Sequence, residues 1–166
     1  IKYQDLSFKL NFPTRKAGLL SIWGIGTIDR YTMDAKNDRT TFLTEDNKIS
    51  NRAHQYMGAA GIAHKYFLPG SAYVQTNLAL TYRSNDLQSR RTDSLMNRKL
   101  EFDLQGQNTD LVLNSFLNKK FSARHTNRTG ITAKILFYDL NYNHCEPHET
   151  RMENFAKDNG SSLLLE

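Results

Sequence analysis

The densest group of chemically capable side chains in this sequence is His144-Cys145-Glu146-Pro147-His148-Glu149. A thiolate, imidazoles and carboxylates are the ligands that zinc and copper take. A structural zinc site, however, draws paired ligands from two places in a chain, and no second pair exists here. Pro147 and its polar neighbours read as a wet loop, so no metal site is expected. Cys145 beside His144 has the residue types of a nucleophile and its base, but adjacent residues in extended backbone point apart. No catalytic residue is assigned and no enzyme is expected. Gly24-Ile25-Gly26 lacks the third glycine and the following helix of a dinucleotide loop, so no cofactor is expected either.

What remains is recognition rather than reaction. Arg124, His125 and Arg128 form a small basic cluster that suits anionic headgroups or a partner, or simply a solvated turn. Two polar stripes are more informative. Asp5, Ser7, Lys9 and Asn11 alternate with apolar residues, and so do Gln75, Asn77, Thr81 and Arg83. Successive side chains of a strand point to opposite sides, so each set occupies one face. In a barrel such a stripe lines the lumen beside whatever passes through; in a soluble protein it is the wet face of a sheet.

Those stripes need strands to carry them. Leu6, Phe8, Leu10 and Phe12 form the apolar half of the first alternation, and Val74, Thr76, Leu78, Leu80 and Tyr82 that of the fourth. Strand-like runs fall near 3–12, 19–31, 53–68, 72–83, 101–118 and 130–142. Pro13 to Gly18 and Pro69-Gly70 punctuate two tight turns. Met57-Gly58-Ala59-Ala60-Gly61 is rich enough in alanine for a helix, but its glycines and Pro69 favour a strand. In the fifth run, Leu111, Leu113, Ser115 and Leu117 share a face while Phe102 and Leu104 have the opposite parity, which predicts a bulge or register change between them. In the sixth, Ile131, Ala133, Ile135 and Phe137 compete with Leu136, Tyr138, Leu140 and Tyr142 for the apolar face, and the pattern does not choose.

The links between these runs alternate short and long: 13–18, 32–52, 69–71, 84–100, 119–129, then a polar stretch 144–160 before a seventh strand begins. A soluble sandwich has no reason to gather its tight turns at one end. A barrel crossing an outer membrane does, since its inner turns are short and its outer loops long. Loops 32–52, 84–100 and 144–160 would then face outward. Aromatics near strand ends (Phe12, Tyr31, Tyr66, Phe67, Tyr73, Tyr82, Phe121, Tyr142) fit interfacial girdles, although aromatics also favour strands in general. The expected fold is an all-β, antiparallel up-and-down meander: a partial transmembrane barrel of about six strands and a stub.

Composition is compatible with this. The 166 residues contain no apolar run of about 18, so no transmembrane helix is predicted. A mean hydropathy of −0.63 is ordinarily that of a soluble protein, but it does not exclude a barrel, since half of each strand faces a polar lumen and the loops are wet. The net charge is +5, but Lys and Arg are scattered among 17 Asp and Glu and no nucleic-acid module is recognisable, so no nucleic acid is expected as a partner. Cys145 is the single cysteine, so an intrachain disulfide is impossible. The chain opens on Ile1 in strand-like sequence and closes on Ser161-Ser162-Leu163-Leu164-Leu165-Glu166, which reads as an interrupted strand. The expectation is one segment, 1–166, of a longer protein.

Specific stretches carry a resemblance. Tyr3-Gln4-Asp5-Leu6-Ser7-Phe8-Lys9-Leu10-Asn11-Phe12-Pro13-Thr14 with Leu20-Ser21-Ile22-Trp23-Gly24-Ile25-Gly26 resembles the barrel of TonB-dependent outer-membrane receptors of the Bacteroidota type. So do Met57-Gly58-Ala59-Ala60-Gly61 with His64-Lys65-Tyr66, and Gly160-Ser161-Ser162-Leu163-Leu164. Lys120-Phe121-Ser122-Ala123-Arg124-His125-Thr126-Asn127-Arg128-Thr129-Gly130 looks like one of that family's periplasmic turns. There the glycosylation triplet Asn127-Arg128-Thr129 has no meaning. The resemblance implies a barrel of about 22 strands with an N-terminal plug, neither the plug nor the remaining strands lying in these residues. It implies the outer membrane of a Gram-negative bacterium and uptake of a small molecule or oligomer, whether siderophore, cobalamin, glycan or peptide. The partners it implies are outer-membrane lipid, TonB and a surface lipoprotein. The alternative reading is a soluble β-sandwich or small barrel that binds a ligand or a protein. That reading requires Leu6, Phe8, Leu10, Leu78, Leu80, Leu111 and Leu113 to be buried together in a compact core, whereas a membrane wall leaves them as an exposed apolar band.

Overall fold

A computed structural model describes residues 1–36, 40, 44–93, 95–145 and 153–165. Seven strands follow one another: β1 (Lys2–Thr14), β2 (Gly18–Met33), β3 (Ile49–Leu68), β4 (Ala72–Thr92), β5 (Arg98–Lys120), β6 (Thr126–His144) and β7 (Glu153–Leu165). They form one open antiparallel sheet in sequence order, each strand paired with its chain neighbour. The all-β up-and-down meander expected from the alternation is the observed architecture.

At one end, which we call the near end, three turns close the hairpins: 15–17, 69–71 and 121–125. Thr14 stabilises the first, its hydroxyl donating to Gly18 O at 2.8 Å and accepting from Ala17 N at 3.0 Å. Gly70 and Ser71 both take positive φ, 77° and 57°, which is how the chain reverses so tightly after Pro69. At the far end lie the links 34–48, 93–97 and 145–152. The first carries a 3-10 turn, Glu45–Lys48.

The far-end links are shorter than expected. β4 continues to Thr92, β5 starts at Arg98 and β7 at Glu153, so most of 84–100 and of 144–160 is strand. Ladder pairing needs only backbone groups, and a strand wet on both faces carries no apolar alternation for composition to reveal.

Register settles which residues share a face, because directly opposed residues point to the same side. Phe8, Gly24, Ala60, Leu80, Leu111, Ile135 and Leu163 form one row across all seven strands. Leu10, Ile22, Ile62, Leu78, Leu113, Ala133 and Leu165 form the next. This choice resolves β6: Ile131, Ala133, Ile135 and Phe137 join the apolar face. The expected break within β5 does not occur, since its pairing runs without a shift from Phe102 to Lys119. The one irregularity of that hairpin lies further out, where Glu101 has no partner between Ser89 and Arg90. Phe102 and Leu104 have opposite parity because the polarity of the two faces exchanges towards the far end. There the row Tyr31, Ala53, Leu87, Leu104, Tyr142 and Ala156 is apolar on the otherwise polar face. The row Arg30, His54, Asp86, Gln105, Asn141 and Lys157 is polar on the otherwise apolar one.

No second layer covers the sheet. Among the described residues the buried apolar ones are Ala35, Ala72, Phe116 and Cys145. Leu6 is 71 % exposed, Leu10 54 % and Leu80 53 %, and Phe8, Leu78, Leu111 and Leu113 are exposed as well. No helix among the described residues is long and apolar enough to cross a membrane, which says nothing of strands.

Candidate functional site

All eight polar-stripe residues lie on one face. Asp5 and Arg83 share a row with Thr27 and Met57; Ser7 and Thr81 share the next with Ile25 and Ala59. Lys9 shares a row with Trp23, Asn11 and Asn77 share one with Ser21 and Ala63, and Gln75 follows beside Lys65. They share the face but form two groups. Asp5 and Arg83 are three strand spacings apart, roughly 14 Å, too far for an ion pair. On β1, Asn11 accepts from the Ser21 hydroxyl at 2.7 Å.

The β4 group is the better built. Gln75 donates to Asn77 Oδ1 at 3.0 Å, Asn77 to Asn114 Oδ1 at 3.4 Å, and Asn114 to Thr132 Oγ1 at 2.8 Å. This relay ties three strands together through side chains as well as backbone. Two residues further along, Lys134 meets Asp110 at 2.8 Å. With the Asn108 amide oxygen turned towards Arg83, that oxygen accepts from Nη2 at 2.9 Å, while the amide nitrogen donates to Gln107 O at 2.7 Å. Thr81, Arg83, Asn108, Asp110, Lys134 and Leu136 line a hollow of about 440 Å³. The second carboxylate oxygen of Asp110 is buried and has no hydrogen-bond partner. Two cations, one carboxylate, the Asn108 amide and the Thr27 and Thr81 hydroxyls stand here beside Ile25, Met57 and Ala59, a surface that can meet a ligand with both polar and apolar parts.

Asn108, Asp110, Asn114, Thr132 and Lys134 were absent from the sequence reading. Parity could have found them: once Leu111 and Leu113 face one way, Asp110 and Asn114 must face the other. The expected break in β5 and the open facing of β6 hid that inference.

At the near end of the same face stands a stack of rings and cations. Lys65 Nζ lies 3.9 Å from the Tyr73 ring centre, Tyr73 meets Phe116 edge-on at 6.2 Å, and Arg128 sits 3.7 Å over Phe116. Phe116 is the one large apolar side chain buried among the described residues. It is buried because Gly130 faces it, and a Cβ there would stand 2.6 Å from Phe116 Cβ.

The apolar face holds the larger hollow, about 1210 Å³, over Gly24, Gly26, Gly58 and Ala60. It is walled by Phe8, Tyr56 and Tyr82 and gathers no opposed charges, so it is a notch of small residues rather than a polar site. Two polar contacts on this face are internal: the Thr76 and Ser115 hydroxyls are 2.9 Å apart, and His64 Nε2 is 2.6 Å from Ala17 O. Of the aromatics expected at the interfaces, Phe12, Tyr66 and Tyr82 share the apolar face, whereas Tyr31, Phe67, Tyr73 and Tyr142 share the polar one.

Of the Cys/His/Glu group, 146–149 lies outside the described residues. His144 ends β6, and the buried Cys145 donates its N–H to Glu101 O at 2.8 Å. Among the described residues no three His, Cys, Asp or Glu side chains converge as metal ligands. Glu101, the bulged residue, takes a two-pronged contact from Arg91, Nε at 3.1 Å and Nη2 at 2.9 Å. Comparison with family models, curated proteins and solved structures found no match to this chain.

Proposed function

We propose that this sheet is a section of the wall of a TonB-dependent receptor barrel in the outer membrane of a Gram-negative bacterium. The apolar face meets lipid, and the face bearing Asp5, Ser7, Lys9, Asn11, Gln75, Asn77, Thr81 and Arg83 lines the passage. The observation that carries the reading is the uncovered apolar band across seven strands. On β3 it runs from Tyr56 to Tyr66. Those ten residue steps cover about 34 Å along the strand, or about 24–28 Å of height at a tilt of 35–45°, which matches the apolar belt of such barrels. A soluble protein of this sequence would bury those leucines, and a band this large is the usual mark of an interaction surface or of lipid contact.

The polarity exchange towards the far end supports the same reading. β5 has 23 residues, about 76 Å of strand, far more than a bilayer needs. Beyond the belt the outward face meets water and turns polar. The open edges at β1 and β7 call for further strands, since an exposed edge is a template for aggregation. The receptor resemblance adds the cargo: a scarce nutrient of siderophore, cobalamin, glycan or peptide type, released by energy delivered through TonB, with a surface lipoprotein as a further partner. No catalytic step is proposed.

The test uses the full-length protein with an epitope tag in the 34–48 link, in fractionated and in intact, protease-treated cells. The expected result is a tag found with the outer membrane and clipped from outside. A soluble tagged protein overturns the membrane reading in favour of a soluble ligand-binding module.

A further inference from the structure

Charge is segregated along the strands. The three near-end hairpin segments, 9–23, 61–79 and 112–134, hold nine Lys and Arg and no Asp or Glu. The rest of the chain carries 13 Lys and Arg against all 17 acidic residues. The net positive charge of the protein therefore resides in the near half of the sheet: Lys9 and Lys134 lie at the height of the apolar band, Lys134 paired with Asp110, and the cations of the turns and strand ends lie beyond it.

These cations divide by face. Lys65 and Arg128 are held against Tyr73 and Phe116 on the polar face. Lys119 belongs to the other face, in the row of Leu68 and Ala72, with its ammonium 5.0 Å from the Phe121 ring centre. Arg15, Lys16, Lys119, Lys120 and Arg124 are exposed, and Phe121 is 64 % exposed. With no carboxylate among these segments, nothing in them neutralises the rim.

We propose that this rim binds the anionic headgroups of the adjoining phospholipid leaflet, of phosphatidylglycerol type. The inference rests on the membrane reading above and deepens it by naming the lipid. Charge complementarity carries it: four exposed cations, Arg15, Lys16, Lys119 and Arg124, flank the edge of an apolar belt, at the height where phosphates lie. An exposed ring such as Phe121 suits the interface between tails and headgroups.

The test reconstitutes the full-length protein into vesicles of mixed phosphatidylglycerol and phosphatidylcholine, with spin-labelled lipids reporting the first shell. The expected result is a preference for phosphatidylglycerol of about fivefold, the ratio equivalent to ~1 kcal/mol, reduced by high salt. A variant with Arg15, Lys16, Lys119 and Arg124 all changed to Gln should lose the preference. Arg15→Lys with Arg124→Lys should keep it, as should Gln at Arg52, Arg90, Arg98 and Lys99 of the far half. An unselective shell in the parent protein overturns the headgroup inference alone, and so does a preference that survives the near-end variant, while the barrel reading stands. A parent protein that inserts into neither vesicle overturns the membrane reading itself. Selective binding to an acidic soluble protein, with an unselective lipid shell, assigns the rim to a protein partner and overturns the inference.

Discussion

The near and far halves of this sheet are built by the same strands on an almost unbroken ladder, yet their faces are opposites. In the near half Leu10, Ile22, Ile62, Leu78 and Leu113 face one side and Asn11, Ser21, Asn77 and Asn114 the other. In the far half His54, Asp86, Gln105 and Asn141 occupy the first side, and Ala53, Leu87, Leu104 and Tyr142 the second. A membrane wall of the kind proposed accounts for the outer side, apolar within the belt and polar beyond it, because apolar surface is favoured only where water is absent. Backbone pairing is indifferent to the change, which is why the ladder crosses it.

The strongest way to break this contrast is to place one charge at two heights of the same face. Leu80→Arg should destabilise the full-length protein in membranes by about 2–4 kcal/mol, since Leu80 lies within the apolar belt. Gln105→Arg, exposed in the far half, should stay within about 0.5 kcal/mol. Unfolding by urea in vesicles reads both, and equal losses would remove the case for two media.

Glycines sharpen the contrast between packed and open positions. A methyl group at Gly130 would stand 2.5 Å from Ser115 O and 2.6 Å from Phe116 Cβ. Gly130→Ala is therefore expected to cost about 1–3 kcal/mol. At Gly58 the nearest atom would be Ile25 O at 3.7 Å, so Gly58→Ala should change stability by less than about 0.5 kcal/mol. The same unfolding assay separates the two, and a tolerated Gly130→Ala would contradict the packing assigned to Phe116.

Each half also holds an ion pair with a half-buried carboxylate. Arg91–Glu101 has two nitrogen contacts; Lys134–Asp110 has one, and its lysine is 37 % exposed. Double-mutant cycles should give about 1 kcal/mol for the first and about 0.5 kcal/mol for the second. A larger coupling at Lys134–Asp110 would mean that the hollow is drier than its exposure indicates.

The smallest effect is expected at the far-end turn. Asp93 Oδ1 accepts from Leu95 N at 2.8 Å and Asn97 N at 2.9 Å. The backbone bond from Asn97 is the largest cause holding its carboxyl below the usual 3.8. A depressed pKa stabilises the turn above the unfolded value, and that contribution disappears as pH falls through the folded value. The protection factors of the Leu95 and Asn97 amides, taken relative to intrinsic exchange, should therefore fall only in acid, below pH about 4, and Asp93→Asn should abolish that fall. Protection factors that stay constant with pH in the parent would show that the turn does not rely on the carboxylate.

Local sequence determined the strands of the near half. Alternation in 3–12 and 72–83 announced both the elements and their two faces, and all eight polar-stripe residues fell on one side. That was legible because period two needs no partner to be read. The far half was not legible: 84–92 and 153–160 carry no apolar period, so their strands are created by backbone pairing with the adjoining strands. The hollow around Arg83, Asn108, Asp110 and Lys134 belongs to the same class. Its members come from three strands, and only the register places Asp110 opposite Leu136 and beside Lys134. The facing of β6 was decided in the same way. Two apolar sets competed within one strand, and the ladder to β5 selected Ile131, Ala133, Ile135 and Phe137, because a residue's side of a sheet is fixed by the strand it pairs with.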